Sequence, residues 1–532
     1  MSTLNSNPLH TDGITAEIEV QEYLESRVVR RRLFPRAILV GLASGSVAAG
    51  FRLLLEAAES LRTKLSNFLP PNPVLLAAVA AGVAALGTWI ALIIGRLDKD
   101  AGGSGIPHMK AVLEGHSTMN WARLIGVKFT AALAAIGSGL ALGREGPTVQ
   151  MGGAAGFAVA DLTGATGRER RALAAAGAGA GLAAAFNAPL AGVTFVLEEL
   201  QRDFQPVVFG AALLSAAIAT VVSRLASGQV PAFSVPPIPA PSLSSIPLFI
   251  LIGALSGLLG IAFNRGLLQS SRLVGKLRSR SMVGVALITG VFAGGAYLVS
   301  PALLGGGHTL TEAAVHGQVL LGPAVAYLVA RLLFVHFSYA TGVPGGIFAP
   351  LLSLGALLGV VAFFGSSYLF PNGPSVAACV VAGMCGLFSG VVRAPLTGII
   401  LIAEMTGSYD MLLPLLASAF TAYAVAEGFG DLPIYEALLQ RDALKKGWNL
   451  DEGELQTAEF EVKAKSGFDG KAIRNLGLPE GVLIILVRSG GKELIPKADM
   501  VLHATMRIVV AASSQAGLQV VEEGARNELV AT

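Results

Sequence analysis

Residues 143–156 read GREGPTVQMGGAAG and residues 345–359 read GGIFAPLLSLGALLG; the two stretches superimpose with Pro147 against Pro350, an offset of 203. Each sets glycines just before a proline and then runs on through small and apolar residues. Glycine frees the backbone and proline suits the first turn of a helix, so each stretch predicts a sharp turn that opens a helix. Two further pairs flank them. GSGIPHMKAVLEG from Gly103 matches GGGHTLTEAAVHG from Gly305, an offset of 202. NAPLAGVTFVLEE matches RAPLTGIILIAEM with Pro189 against Pro395, an offset of 206. Three landmarks in one order at nearly constant separation imply duplication. The halves run roughly over 34–225 and 246–436, with the Pro- and Ser-rich QVPAFSVPPIPAPSLSSIP between them as a linker.

The composition says where these halves reside. Of the chain's 532 residues 53% are hydrophobic and 14% charged, and mean hydropathy is +0.65. A soluble chain carries about 25% charged residues. Ten charged residues fall in 1–36, 38 in 37–440 and 25 in 441–532. The long middle is therefore too poor in charge to face water, whereas the tail has an ordinary soluble composition. A polytopic membrane domain fits; a secreted protein, a single-pass receptor and a large soluble enzyme do not. Many apolar runs are short and broken by Gly or Pro, which predicts discontinuous helices around a site at mid-membrane depth. Residues 1–26 are polar and acidic, unlike a signal peptide, and Arg27, Arg30, Arg31, Arg32 and Arg36 precede the first apolar stretch. The positive-inside bias puts the N-terminus in the cytoplasm. Cys379 and Cys385 match no metal or redox spacing, and the net charge of +3 with no basic tract gives no sign of nucleic-acid binding.

Gly103–Pro107, Gly143–Pro147 and Gly345–Pro350 share one design. Each exposes free N–H groups at a positive helix end, worth roughly half an elementary charge. Several such ends inside a membrane would hold an anion without a lysine or arginine beside it, and would release it faster than a buried cation would. Acidic residues add a second theme. Glu145 sits at one of these helix starts, where an ionised carboxylate would compete with an anion and a protonated one would leave. Glu198 and Glu199 end the run LAGVTFVLEE. Glu198 aligns with Glu404, so a carboxylate common to both halves reads as architectural. Glu199 aligns with Met405 and is the half-specific, functional candidate. Carboxylates within a membrane are costly and mark function by default, although spacing also allows Glu199 to cap the helix end or pair with Arg202.

GSGIP, GREGP, GGIFAP, the two APL repeats and LPIYEALL (432–439) together resemble the CLC family of chloride channels and chloride/proton antiporters, over about 34–440. The resemblance implies a homodimer whose subunits conduct independently. Each subunit would be all-α and polytopic, an inverted repeat of two homologous helical halves with discontinuous helices. It implies that chloride binds the hydroxyls of Ser104 and Tyr435 and the backbone N–H groups of Ile347 and Phe348, near the glycine-framed ends at Gly105 and Gly146. It makes Glu145 the external gating glutamate and Glu199 the internal proton-transfer glutamate, a mark of antiporters. Members that prefer nitrate tend to carry proline at the Ser104 position, so chloride is favoured here. His108, Met109 and Lys110 depart from relatives that can be acidic at this point. Proton-coupled chloride antiport is the leading reading, and passive chloride conduction through the same pore is the alternative.

The tail differs in kind. FEVKAK, GVLIILVRSGG and MRIVVAAS are β-branched or alternating and are separated by turns such as Leu478–Pro479–Glu480–Gly481, predicting a small, mostly β, α+β domain over 457–515. GLPEGVLIILVRSGGKELIPKADMVLHATMRIVVA is similar to the C-terminal regulatory domain of RCK/TrkA systems, which implies a small-molecule ligand. Its usual acidic-glycine turn reads His503–Ala504–Thr505 here. No TVGYG-like filter supports a potassium channel, no HExxH or Ser-x-x-Lys signature supports an enzyme, and no cofactor is expected. The expected setting is the plasma (inner) membrane with both termini cytoplasmic and the lipid bilayer as a partner.

Overall fold

A computed structural model describes residues 9–202, 206–228, 233, 235–367, 373–446, 456–490, 492–513 and 515–526, with side chains from residue 31 onward except at 206–207, 456 and 515–516. Positions 229–232 and 234 of the expected linker and the first eight residues lie outside this set. Two compact units divide near Gln440.

The first unit is helical. Its first half comprises α1 (Leu9–Phe68), α2 (Pro73–Ile94), α3 (Ile106–Leu113), α4 (Trp121–Gly137), α5 (Glu145–Leu162), α6 (Gly167–Phe186), α7 (Pro189–Phe195) and α8 (Pro206–Ser227). The second comprises α9 (Ile246–Arg280), α10 (Met282–Val299), α11 (His308–Val315), α12 (Leu321–Ala340), α13 (Phe348–Ser367), α14 (Val376–Val392), α15 (Pro395–Thr406) and α16 (Leu412–Gly428), and α17 (Ile434–Lys446) follows. Helix α1 starts upstream of residue 34 and carries the arginine run within it. Among the described residues eight helices are long and apolar enough to cross a membrane, while α3, α7, α11 and α15 are too short. Large apolar side chains such as Val74, Leu86 and Val291 stay exposed on the long helices, as a lipid-facing surface requires.

Local chemistry sets the breaks. Asn72, Asn120, Ser281 and Ser375 cap α2, α4, α10 and α14 with side-chain oxygens. Helix α6 ends at Asn187 with φ 59° and α14 ends at Arg393 with φ 67°; in both, proline opens the next helix two residues on. The left-handed residue is thus part of the repeat, even where arginine occupies it. The glycines of α5 meet those of α6 so closely that a Cβ on Gly152 would strike the Gly177 carbonyl, and Gly355 meets Gly383 in the same way between α13 and α14.

The two halves are inverted, and side chains show it. Glu198, past the end of α7, accepts from Leu396 N at 3.1 Å and Thr397 N at 2.7 Å in the first turn of α15. Glu404, near the end of α15, accepts from Leu190 N at 3.1 Å and Ala191 N at 2.8 Å in the first turn of α7. Each helix end meets the other's beginning, so the two run antiparallel about a pseudo-two-fold axis. Helices α2 and α10 repeat the pattern: Gly290 lies against Ala81 and Ala85, and Gly294 against Ala77 and Ala81. The common carboxylate at Glu198 and Glu404 is accordingly architectural, each one capping a helix of the opposite half.

The second unit is a four-stranded antiparallel sheet, order β1-β4-β2-β3, made of β1 (Gln456–Glu461), β2 (Val482–Ser489), β3 (Lys492–Leu494) and β4 (Arg507–Ala512). Helix α18 (Gln515–Arg526) extends beyond the expected end at 515 and puts Val521 and Ala525 into a core with Phe460, Val462, Ile484, Ile508 and Val510.

Candidate functional site

Three helix starts meet at one point inside the first unit. Gly143 and Gly346 form an antiparallel bridge, each donating its N–H to the other's carbonyl at 2.7 Å. Gly345 N donates to Gly103 O at 3.0 Å, which ties in the third turn. A Cβ on Gly146 would press on Ser104 and Gly346. Glycine is needed at Gly105 on two counts, because its φ is +88° and a Cβ would collide with Gln150. Helices α3, α5 and α13 therefore direct their N-terminal N–H groups to a shared space, about 1.5 positive charges in sum if each end carries roughly half a charge. Side-chain cations beside this space are drawn elsewhere. Lys128 Nζ donates to the carbonyls of Ala101 and Gly103 at 2.9 and 2.8 Å, and Arg144 turns to Ala185 O and Glu56. Because Lys128 pulls those carbonyls back, the N–H side of the Ser104 turn is left facing inward.

Four of the residues named from sequence lie around this space. Ser104, Ile347, Phe348 and Tyr435 are buried, and the Phe348 ring packs among Phe186, Phe195, Phe388 and Tyr435. Tyr435 stands beside Ser104. Among the described residues the hydroxyls Ser104 Oγ and Tyr435 OH are buried with no protein partner beyond each other. Burying a polar atom unpaired costs about 1–3 kcal/mol, so two hydroxyls facing one space suit a ligand that accepts from both. The Glu145 carboxylate folds back over Gly143 to the backbone N–H of Ala349, so it rests on the first turn of α13.

Glu199 lies in a π-turn, Val196–Gln201, that continues α7. It is buried, and its partner is Lys110 rather than Arg202: Lys110 Nζ is 3.0 Å from Glu199 Oε1 and 3.4 Å from Glu436 Oε2. Arg202 binds that same Glu436 oxygen at 3.4 Å. Sequence reasoning passed over Lys110 as a partner, Glu436 and Lys128. The buried cation is in fact duplicated: Lys128 bonds Ala101 O, and Arg331, 203 residues on, bonds Leu303 O. That offset is the one signal that would have exposed it. His108 Nδ1 accepts from Gln150 Nε2 at 2.9 Å, and so braces the side chain beneath Gly105. No group of three or more His, Cys, Asp or Glu is placed to hold a metal ion among the described residues.

Known proteins agree with this architecture. Residues 86–427 match the family described as voltage gated chloride channel, and residues 457–523 match the TrkA-C domain. An H(+)/Cl(-) exchange transporter ClcA of Vibrio cholerae serotype O1 is 38% identical over 422 residues, covering 76% of this chain and 88% of that protein. The protein of the same name from Salmonella paratyphi A is 33% identical, covering 79% and 92%. A crystal structure of a slow cyanobacterial Cl-/H+ antiporter superimposes with a TM-score of 0.73 at 35% identity, covering 78% of this chain and 99% of the other. With a family match over most of the helical unit, inverted halves and helix ends gathered around buried hydroxyls, this multi-pass integral membrane protein belongs to the voltage gated chloride channel (CLC) family.

Proposed function

We propose that the chain is a proton-coupled chloride antiporter, moving chloride and protons in opposite directions across a membrane. The observation that carries the reading is the Glu145 carboxylate resting on the first turn of α13, where an anion would bind, while a second buried carboxylate, Glu199, stands apart from it on the π-turn after α7. Relatives described as exchangers support coupled transport over passive conduction. In this reading chloride takes the hydroxyls of Ser104 and Tyr435 and the N–H groups of Ile347 and Phe348, at the helix ends framed by Gly105 and Gly146. Ionised Glu145 competes with chloride for the same positive helix end; once protonated it loses that attraction, swings out and carries the proton. Glu199 exchanges the proton at the other side.

The protein works as a homodimer in the plasma (inner) membrane with both termini in the cytoplasm; the arginines that precede the first apolar stretch support the cytoplasmic side for the N-terminus. The tail, by its likeness to TrkA-C domains, binds a small-molecule regulator. The decisive experiment reconstitutes the full chain in liposomes and asks whether a chloride gradient drives protons uphill. Uphill movement is expected, and Glu199→Gln should stop it while chloride flux stays measurable. Chloride flux without proton movement in the unmodified protein would make it a passive chloride channel.

A further inference from the structure

Glu199 has no direct route to water. Its side chain is 3% exposed and Lys110, which it binds, is 1% exposed. Outward exposure rises stepwise along one chain of contacts: Glu436 is 22% exposed and Arg202 54%. The neighbouring Glu198 offers no alternative, because both its oxygens are committed to Leu396 and Thr397. Lys110 Nζ thus lies between a buried carboxylate and one that water reaches, within hydrogen-bond range of both.

We infer that Lys110 and Glu436 form the proton relay between Glu199 and the aqueous phase; this rests on the antiport reading. A hydronium ion first protonates Glu436. The Lys110 ammonium then passes one proton to Glu199 Oε1 while the Glu436 acid passes its proton to Lys110 Nζ. Lysine is an ammonium before and after the step, Glu436 returns to a carboxylate, and Glu199 becomes the acid; the net transfer is one proton from water to Glu199. The reverse order delivers a proton outward. Lysine can perform this exchange because an amine gives up and regains a proton, whereas a guanidinium stays protonated in proteins. Arg202, on the same Glu436 oxygen, holds that carboxylate in place from the solvent side.

That difference supplies the test. Full-length Lys110→Arg and Glu436→Gln proteins are reconstituted, and proton and chloride fluxes are recorded together. Lys110→Arg keeps the charge and the reach to both carboxylates but not the transferable proton. Both variants should lose at least tenfold in proton turnover while chloride flux remains measurable. Measurable chloride flux also shows that each variant has folded, and Lys110→Gln provides a third protein if one fails to assemble. A Lys110→Arg protein that pumps protons at the unmodified rate and ratio would overturn the relay and leave Lys110 as an electrostatic brace. An unmodified protein that moves no protons would instead defeat the antiport reading itself.

Discussion

Replacing Glu198 separates architecture from transport. Its carboxylate accepts from Leu396 N, Thr397 N and Thr397 Oγ at 3.1, 2.7 and 2.7 Å. Thr397 is fully buried, so two of these donors have no water to turn to. Leaving a buried donor unpaired costs about 1–3 kcal/mol, and losing an anion at a helix N-terminus adds about 0.5–2 kcal/mol. Glu198→Ala should therefore destabilise the protein by about 4 kcal/mol. Glu404→Ala removes two acceptor contacts and no hydroxyl contact, so it should cost about 1 kcal/mol less. For a chain of this size 1 kcal/mol corresponds to about 1–2 °C in Tm. The assay is the temperature at which the detergent-solubilised protein ceases to be monodisperse, at one fixed heating rate. Glu198→Ala should fall about 4–8 °C below the unmodified protein, and the isosteric Glu198→Gln about half as far with coupled proton transport retained. A Glu198→Ala protein no less stable than Glu427→Ala, whose side chain is 61% exposed, would refute the capping argument.

Selectivity should follow Ser104. Proline there removes a hydroxyl and a backbone N–H together, so Ser104→Pro should raise nitrate relative to chloride transport; unchanged relative rates would take Ser104 out of the site. Glu145→Gln should mimic a permanently protonated gate, passing chloride with little dependence on external pH and moving no protons, and uphill proton transport by this protein would contradict the gating role. Removing the chain after Lys446 deletes the sheet domain, which has its own hydrophobic core, and should leave coupled transport in a folded protein. A truncated protein that assembles but shows no flux would give the tail a part in transport.

Glycine and proline made the helical unit legible, because they fix the backbone where they stand. GREGP and GGIFAP located the starts of α5 and α13, and three aligned landmarks exposed the duplication. The alignment also separated Glu198 from Glu199 before any coordinates, since only Glu198 has a counterpart in the other half. Direction was not legible. A repeated motif reads the same whether its second copy is inverted or not, and the crossed caps of Glu198 and Glu404 and the antiparallel packing of α2 on α10 reveal the inversion. Nor was the partner of Glu199, because Lys110 and Glu436 stand 326 residues apart and meet only when α3 and α17 pack. Spacing suggested Arg202, three residues on, but the π-turn ends at Arg202 in a left-handed conformation with φ 52°, and its guanidinium reaches Glu436 instead.

Two helices connect the ions. At one end α3 follows Ser104 at the meeting of helix starts, and at the other it carries Lys110 against Glu199; six residues of helix span only about 9 Å. On α17, Tyr435 faces Ser104 while the adjacent Glu436 faces Lys110. A short helix spanning two turns is taken to move as one body. In the proposed antiport, a tilt of α3 that draws Ser104 away from chloride also displaces Lys110 relative to Glu199, and a turn of α17 moves Tyr435 and Glu436 together. On the proposed roles, an anion contact and a proton contact on each of two short helices would make the passage of one ion depend on the state of the other. Neither a long-range pathway through the unit nor a hinge in the pore is needed to link them. The link fails if either helix loses its rigidity, and for α3 that rigidity begins at the Gly105 turn, where Lys128 and Gln150 hold the backbone.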